Sequence, residues 1–259
     1  MTRGRWTAIV LAGQRPGPDA LASHFGEKYK ALVNVGGQPM IARVIAALKA
    51  TPEIGHVVIL SQAPEKLMAA VTEGENVTFH ASGAGISSSI KAIAGSDAAP
   101  WPVLVTTADH PLLDPAMISA FLAESEQADL CVAMVEKTNM LAKFPAAQRT
   151  WLKFSDGHWS GANLFALRTE KVTPALDLWS AAEQDRKTAW KLFLHFGPWL
   201  AIRAITRTIG LGEALAQVGR KFGLSISLVP MTDPIACIDV DKVADHILAE
   251  EILAKRAAN

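Results

Sequence analysis

Acidic side chains sit at two places in this chain where an apolar run ends: Val105-Thr106-Thr107-Ala108-Asp109-His110-Pro111, and Ile238-Asp239-Val240-Asp241. A carboxylate just past a buried strand is a natural ligand for Mg²⁺, a hard cation that selects oxygen and leaves open faces for phosphate. Alternate residues of an extended segment point the same way, so Asp239 and Asp241 could face one ion. Together with Asp109 they would make a three-oxygen metal site. Helix capping is the competing role for these acids, but Asp114, directly before Pro115, already suits it. His110 reads as a neighbour of Asp109 rather than as a catalyst.

A cationic counterpart lies near the N-terminus. Leu11-Ala12-Gly13-Gln14-Arg15-Pro16-Gly17 leaves a strand through a glycine turn and runs on to Lys28-Tyr29-Lys30-Ala31-Leu32. Such a turn exposes backbone amides to phosphate oxygens at close range, and Arg15 and Lys30 would add the positive charge a triphosphate needs. No Gly-Lys-Ser/Thr follows, so this is not a Walker loop.

The elements that would position these residues alternate. Strands are predicted at Thr7 to Leu11, Val57 to Leu60, Val77 to His80, Val103 to Thr107 and Leu130 to Val135. Helices are predicted at Pro39 to Lys49, Pro64 to Val71 and Pro115 to Ser125, with Ser87, Ser88 and Ser89 capping a short one. This alternation implies an α/β fold of three layers, with a mostly parallel sheet flanked by helices. Ligands of such sheets bind at the carboxyl ends of the strands. Beyond Val135 the pattern changes to a hairpin, Thr150 to Phe154 and Trp159 to Leu167, around Ser155-Asp156-Gly157-His158. Helical segments follow at Ala175 to His195, Trp199 to Arg207 and Gly212 to Phe222. Strands are then expected at Leu224 to Val229 and Ile235 to Ile238, before a closing helix from Val243 to Lys255. The expected organisation is one domain over 1–259, with a nucleotide half (1–135), an acceptor-side or lid region (136–234) and a metal-binding segment with its helix (235–259).

The 259 residues are 50% hydrophobic and 19% charged, with a formal net charge of zero. That composition fills a core and argues against a nucleic-acid binder, which carries a basic excess; it leaves room for a local phosphate pocket. Cys131 and Cys237, in apolar runs, read as reduced core thiols. The apolar run Ala8 to Leu11 is too short for a signal peptide's core, and Phe196 to Val218 is cut by Arg203, Arg207 and Glu213. The expectation is a soluble cytoplasmic protein. The helices over 199–222, with Arg203, Arg207, Arg220 and Lys221, could also lie on a membrane surface, although core packing explains them as well.

The ordered set Leu11-Ala12-Gly13-x-Arg15, Lys30-Ala31-Leu32, Val35-x-Gly37-x-Pro39-Met40-Ile41, Asp109-x-Pro111 and Asp239-x-Asp241 resembles the MobA-like nucleotidyltransferases of glycosyltransferase-A type fold. The resemblance implies Mg²⁺-dependent transfer of a nucleoside monophosphate from an NTP to a phosphorylated acceptor, with release of pyrophosphate. It places Leu11, Ala12 and Gly13 along the nucleotide, Arg15 and Lys30 on the triphosphate, and Asp109 with Asp239 or Asp241 on the metal. Ala81 to Ser89, with Gly83, Ser87, Ser88 and Ser89, takes the position that reads base and ribose. Gly161-Ala162-Asn163-Leu164 resembles the acceptor-contacting strand, and Lys153, Arg186, Lys187 and Lys191 could meet an acceptor phosphate. The last three could equally form a solvated helix face. Trp151, Trp159, Trp190 and Trp199 could wall the acceptor pocket or fill the core. CTP is the favoured donor and GTP the next; the acceptor would be an alcohol, polyol or sugar phosphate. The Arg15–Lys30 stretch is longer than usual for the family, and the Gly-Gly-x-Ser-x-Arg-Met-Gly wording is absent, which points away from molybdopterin guanylyl transfer. The alternatives are a molybdenum-cofactor-type nucleotidyltransferase and a non-catalytic nucleotide-binding regulator.

Overall fold

The computed structural model describes residues 5–14, 16–71, 76–83, 85–184 and 198–258. Its strands, in chain order, are β1 (Trp6–Leu11), β2 (Asn34–Val35), β3 (Gln38–Pro39), β4 (Ile54–Ser61), β5 (Val77–Ala81), β6 (Val103–Thr107), β7 (Leu130–Glu136), β8 (Leu152–Phe154), β9 (Gly157–Leu167) and β10 (Ile226–Pro230). The main sheet has the order β10-β7-β9-β6-β1-β4-β5, with β8 added on β9; β2 and β3 form a separate ribbon. β6, β1, β4 and β5 are mutually parallel, as are β7 and β10. β9 runs against both of its neighbours, β6 and β7.

The centre of the sheet is covered on both sides, and the sequence of β1 reflects it. Ala8, Ile9 and Val10 are all fully buried, the continuous apolar run of a two-sided parallel strand. Ala8 and Val10 pack into one core cluster with Met40, Val44, Leu48, Ile118, Phe121 and Ile252, from the helices Met40–Ala50, Pro115–Glu124 and Val243–Ala257. Ile9 faces the other side, with Ile90, Ile93 and Leu176 from Ile86–Ile93 and Thr173–Gln184. The helix Met40–Ala50 buries Met40, Ile41, Val44, Ile45 and Leu48, a stripe at helical spacing. Asp114 caps Pro115–Glu124 as expected, its carboxylate accepting the Met117 amide at 2.9 Å.

Several predicted elements take other forms. Pro64 to Val71 holds only a 3₁₀ turn, Pro64–Lys66. Leu67 and Val71 are the residues this run buries, too little apolar surface to secure a longer helix. Ile235 to Ile238 is a 3₁₀ helix, Pro234–Cys237, rather than a strand. Asp233 accepts the Ile235 amide at 3.1 Å, and the whole turn is buried, so its apolar run records core packing and not strand pairing. The serines do not cap Ile86–Ile93: Gly85 holds the cap position, and they lie within the helix. Cys131 and Cys237 are free and buried, as expected, and burial raises both thiol pKa values, Cys237 to about 11.

Among the described residues no helix is long and apolar enough to cross a membrane. The helix Pro198–Ile205 turns Trp199 and Ile205, 71% and 81% exposed, toward solvent. Trp159 is a core residue, Trp151 packs against the core, and Trp190 lies outside the described residues.

β7 and β10 meet at a polar clasp. Asp129 accepts the Ser225 amide at 2.8 Å and its hydroxyl at 2.7 Å. The Ser225 amide and hydroxyl hold the Asp129 carboxyl below the usual carboxylate range. A lowered folded pKa stabilises above the unfolded value, and the gain disappears as pH falls through the folded one. Asp129→Asn is therefore expected to lower the thermal midpoint at neutral pH, and the gap from the parent chain should close in acid.

Candidate active site

The carboxyl ends of β1 and β6 bring together residues far apart in the chain. Asp109 lies just past β6, and the turn Ala12-Gly13-Gln14 just past β1. The Ala108 amide donates to the Leu11 carbonyl at 3.0 Å, and the Val240 amide to the Asp109 carbonyl at 2.8 Å. These backbone bonds seat the acidic pair beside the strand ends.

Lys30, on the 3₁₀ turn Lys30–Leu32, completes the cluster. Its ammonium lies 2.6 Å from Asp109 Oδ2 and also donates to Asp241 Oδ1. Burial works against the lysine's charge, but Asp109 and Asp241 outweigh it and hold the pKa above the ordinary lysine value. Burial likewise pushes Asp109 up, and Lys30 reverses it, leaving the carboxyl below the usual range. Both groups are therefore charged at neutral pH. His110 beside them is buried, which drives its pKa down to about 4 and keeps the imidazole neutral.

Asp239 takes a different position from Asp241. Arg149 Nη1 donates to its Oδ1, Arg149 Nη2 to its carbonyl at 3.1 Å, and Asn163 Nδ2 to its Oδ2 at 3.2 Å. Burial raises the Asp239 pKa, Asp109 and Asp241 add to the rise, and Arg149 opposes it. Both carboxylate oxygens of Asp239 thus already have donors. Among the described residues, no three His, Cys, Asp or Glu side chains close into a metal cage. The donor set nevertheless fits a hard cation. Among the described residues Asp109 Oδ1, which is buried, has no hydrogen-bond partner, and the Asp241 side chain is 57% exposed.

The glycine turn is tied to Lys30 through Gln14, which sequence reasoning missed. Gln14 Oε1 accepts the Lys30 amide at 3.0 Å, Gln14 Nε2 donates to the Lys28 carbonyl at 3.2 Å, and the Gln14 amide donates to Gln62 Oε1 at 2.9 Å. A Cβ on Gly13 would sit 2.9 Å from Gln62 Nε2 and would push aside the Gln62 amide that accepts the Gln14 amide. Arg15 lies outside the described residues.

The segment expected at base and ribose lines a cavity of about 450 Å³ with His80, Ala81, Gly83, Ser88 and Ser89. Ser89 Oγ donates to the Gly85 carbonyl at 2.6 Å and accepts the Gly83 amide at 2.9 Å, shaping the loop. Ser87 is buried, and its amide and hydroxyl donate to Glu183.

On the acceptor side, Lys153 is exposed on β8 opposite His158, and Gly161 is exposed opposite Met134. Asn163 instead turns inward to Asp239. β9 is irregular here: Val132 pairs Phe165 while Met134 pairs Gly161, and Asn163 takes φ +51°. Such a bulge re-aims a side chain, and Asn is among the few residues that tolerate this backbone region. Arg186, Lys187 and Lys191 lie outside the described residues. Arg149 went unnoticed in the sequence, where a lone arginine in a loop gives no pattern.

The model of the MobA-like NTP transferase domain matches residues 8–192. Among solved structures, a hypothetical transferase from Thermus thermophilus is 27% identical with a TM-score of 0.77, covering 93% of this chain and 99% of that one. 4-Diphosphocytidyl-2C-methyl-D-erythritol synthase from Anaerococcus prevotii is 12% identical at TM-score 0.60, with 97% of each chain covered. 2-C-methyl-D-erythritol 4-phosphate cytidylyltransferase from Thermus thermophilus is 13% identical at TM-score 0.53, covering 96% and 99%. No curated protein sequence matches.

Proposed function

Starting from a chain that belongs to the MobA-like NTP transferase family, we propose that this nucleotidyltransferase moves a nucleoside monophosphate from CTP, or else GTP, to an alcohol, polyol or sugar phosphate. An acceptor phosphate oxygen attacks the α-phosphorus, the bond to the bridging oxygen breaks, and pyrophosphate leaves. The observation that carries this reading is the Lys30 ammonium set between Asp109 and Asp241 at the carboxyl edge of the sheet.

Nucleotidyl transfer depends on in-line positioning and on neutralised phosphate oxygens more than on covalent help from the protein. The acceptor is already an anion, so no strong general base is needed, and a neutral buried His110 is compatible with that. Lys30 would hold charge on the α- and β-phosphate oxygens, a task the resemblance also gives to Arg15. The Gly13 turn would present backbone amides to the triphosphate, and Gly83, Ser88 and Ser89 would bound the nucleoside, with Ser87 behind them, held to Glu183. On the resemblance, Lys153, Gly161 and Lys187 would meet the acceptor, while Asn163, turned to Asp239, would support that side from behind. Mg²⁺ would be held by Asp109 and Asp241, with Asp239 behind them, and when bound it neutralises phosphate charge. Fold likeness to a 4-diphosphocytidyl-2C-methyl-D-erythritol synthase and to a 2-C-methyl-D-erythritol 4-phosphate cytidylyltransferase accords with CTP as the donor.

A pyrophosphate-release screen of four NTPs against phosphorylated alcohols, polyols and sugars, with and without Mg²⁺, tests the proposal. Release is expected only with a phosphorylated acceptor and Mg²⁺, and fastest with CTP. Equal release without an acceptor would replace transfer by hydrolysis.

A further inference from the structure

We infer that Arg149 is a positioning residue that fixes Asp241 against Asp109 by clamping the acidic segment at both ends; the inference rests on the proposed metal-dependent transfer. Its side chain is 9% exposed. At one end it donates to the side chain and the carbonyl of Asp239. At the other, Nη2 lies 3.8 Å from Asp245 Oδ1. The second carboxylate oxygen, Asp245 Oδ2, accepts the backbone amides of Asp241 and Lys242 at 3.2 and 3.0 Å. The chain between them is thus pinned at Asp239 and again at the amide of Asp241. The Val240 amide, held by the Asp109 carbonyl, fixes the middle.

Within this clamp the Asp241 side chain is left for Lys30 and solvent. Asp239 is the opposite case. Arg149 holds one of its oxygens and Asn163 the other, which makes it the anchor of the segment rather than its working group. Both holders come from the region that carries β8 and β9. The bulge at Asn163 and the loop at Arg149 therefore connect the acceptor-side hairpin to the carboxylate pair. A planar fork that grips a carboxylate and a carbonyl together is a task for arginine; lysine offers a single point charge.

Partners behind metal ligands typically change metal affinity or activity by about ten- to hundredfold when removed. Arg149→Lys, which keeps the charge, and Arg149→Ala are to be compared with the parent chain for Mn²⁺ binding in the presence of CTP, by electron paramagnetic resonance, and for kcat and KM in pyrophosphate release. Unfolding midpoints accompany both. In Arg149→Lys the expected result is a midpoint close to the parent's, Mn²⁺ affinity about tenfold weaker, kcat reduced to a similar degree, and little change in the KM for CTP. Parent-like Mn²⁺ affinity in a folded Arg149→Lys overturns the clamp, whatever happens to kcat, and leaves the proposed function standing. If Arg149→Ala unfolds, Arg149→Lys alone decides. Failure of the parent chain to bind Mn²⁺ with any of the four NTPs overturns the proposed function and this inference together.

Discussion

Asp109→Ala is expected to lower turnover by about two orders of magnitude or more, the scale of losing one preorganised charge contact at a transferring phosphate. The carboxylate contributes on two sides, since Oδ2 holds Lys30 while Oδ1 is buried without a partner among the described residues. What seats the neighbouring acidic segment is the Asp109 carbonyl, which accepts the Val240 amide and survives truncation of the side chain. The loss should therefore be chemical. Asp109→Asn, of the same shape, should lose a comparable amount and separates charge from packing. Steady-state pyrophosphate release is the measurement, and a near-normal rate in either variant would remove Asp109 from the reaction.

Lys30→Ala is the second large effect, again about two orders of magnitude in turnover. The Lys30 amide still reaches Gln14 Oε1 after substitution, so the glycine turn keeps its tie. What disappears is the cation between Asp109 and Asp241, which leaves two carboxylates facing one another. Truncating one member of a buried pair costs more than the pair contributed, so the unfolding midpoint should also fall. If Lys30 acts on charge that grows during transfer, kcat drops more than the KM for the donor rises. A variant with only KM altered would make Lys30 a binding group alone.

Much of the scaffold was legible because local chemistry and tertiary packing agreed. β6 occupies Val103–Thr107 as read, and Asp114-Pro115 starts its helix. The rest was hidden for particular reasons. Ile235 to Ile238 looked like a strand because a buried 3₁₀ turn and a buried strand both present a short apolar run. β9 was read correctly as the return arm of a hairpin, yet nothing local indicates that it sits between β6 and β7. The ordered motif set implied that Lys30 and the acids share one cleft, but not that Lys30 pairs directly with Asp109 and Asp241, because it assigned the lysine to the triphosphate and the acids to a metal. Arg149, Gln14 and Gln62 were missed because each acts through a partner distant in sequence, and one arginine or glutamine in a loop carries no periodic signal.

The placement of β9 also bears on how the chain can assemble and diverge. Among the described strands, β7 and β10 reach the rest of the sheet only across this antiparallel member. While the polypeptide emerges from the ribosome, the sheet cannot join its two flanks until Leu167 has been made. A duplication or fusion that severed the gene between β7 and β9 would strand one flank without a neighbour. The hairpin tip is tied down as well: the Ser155 amide donates to the Ile209 carbonyl at 3.0 Å and Asp156 Oδ1 accepts the Leu211 amide at 3.0 Å, so insertions there would loosen the start of the following helix.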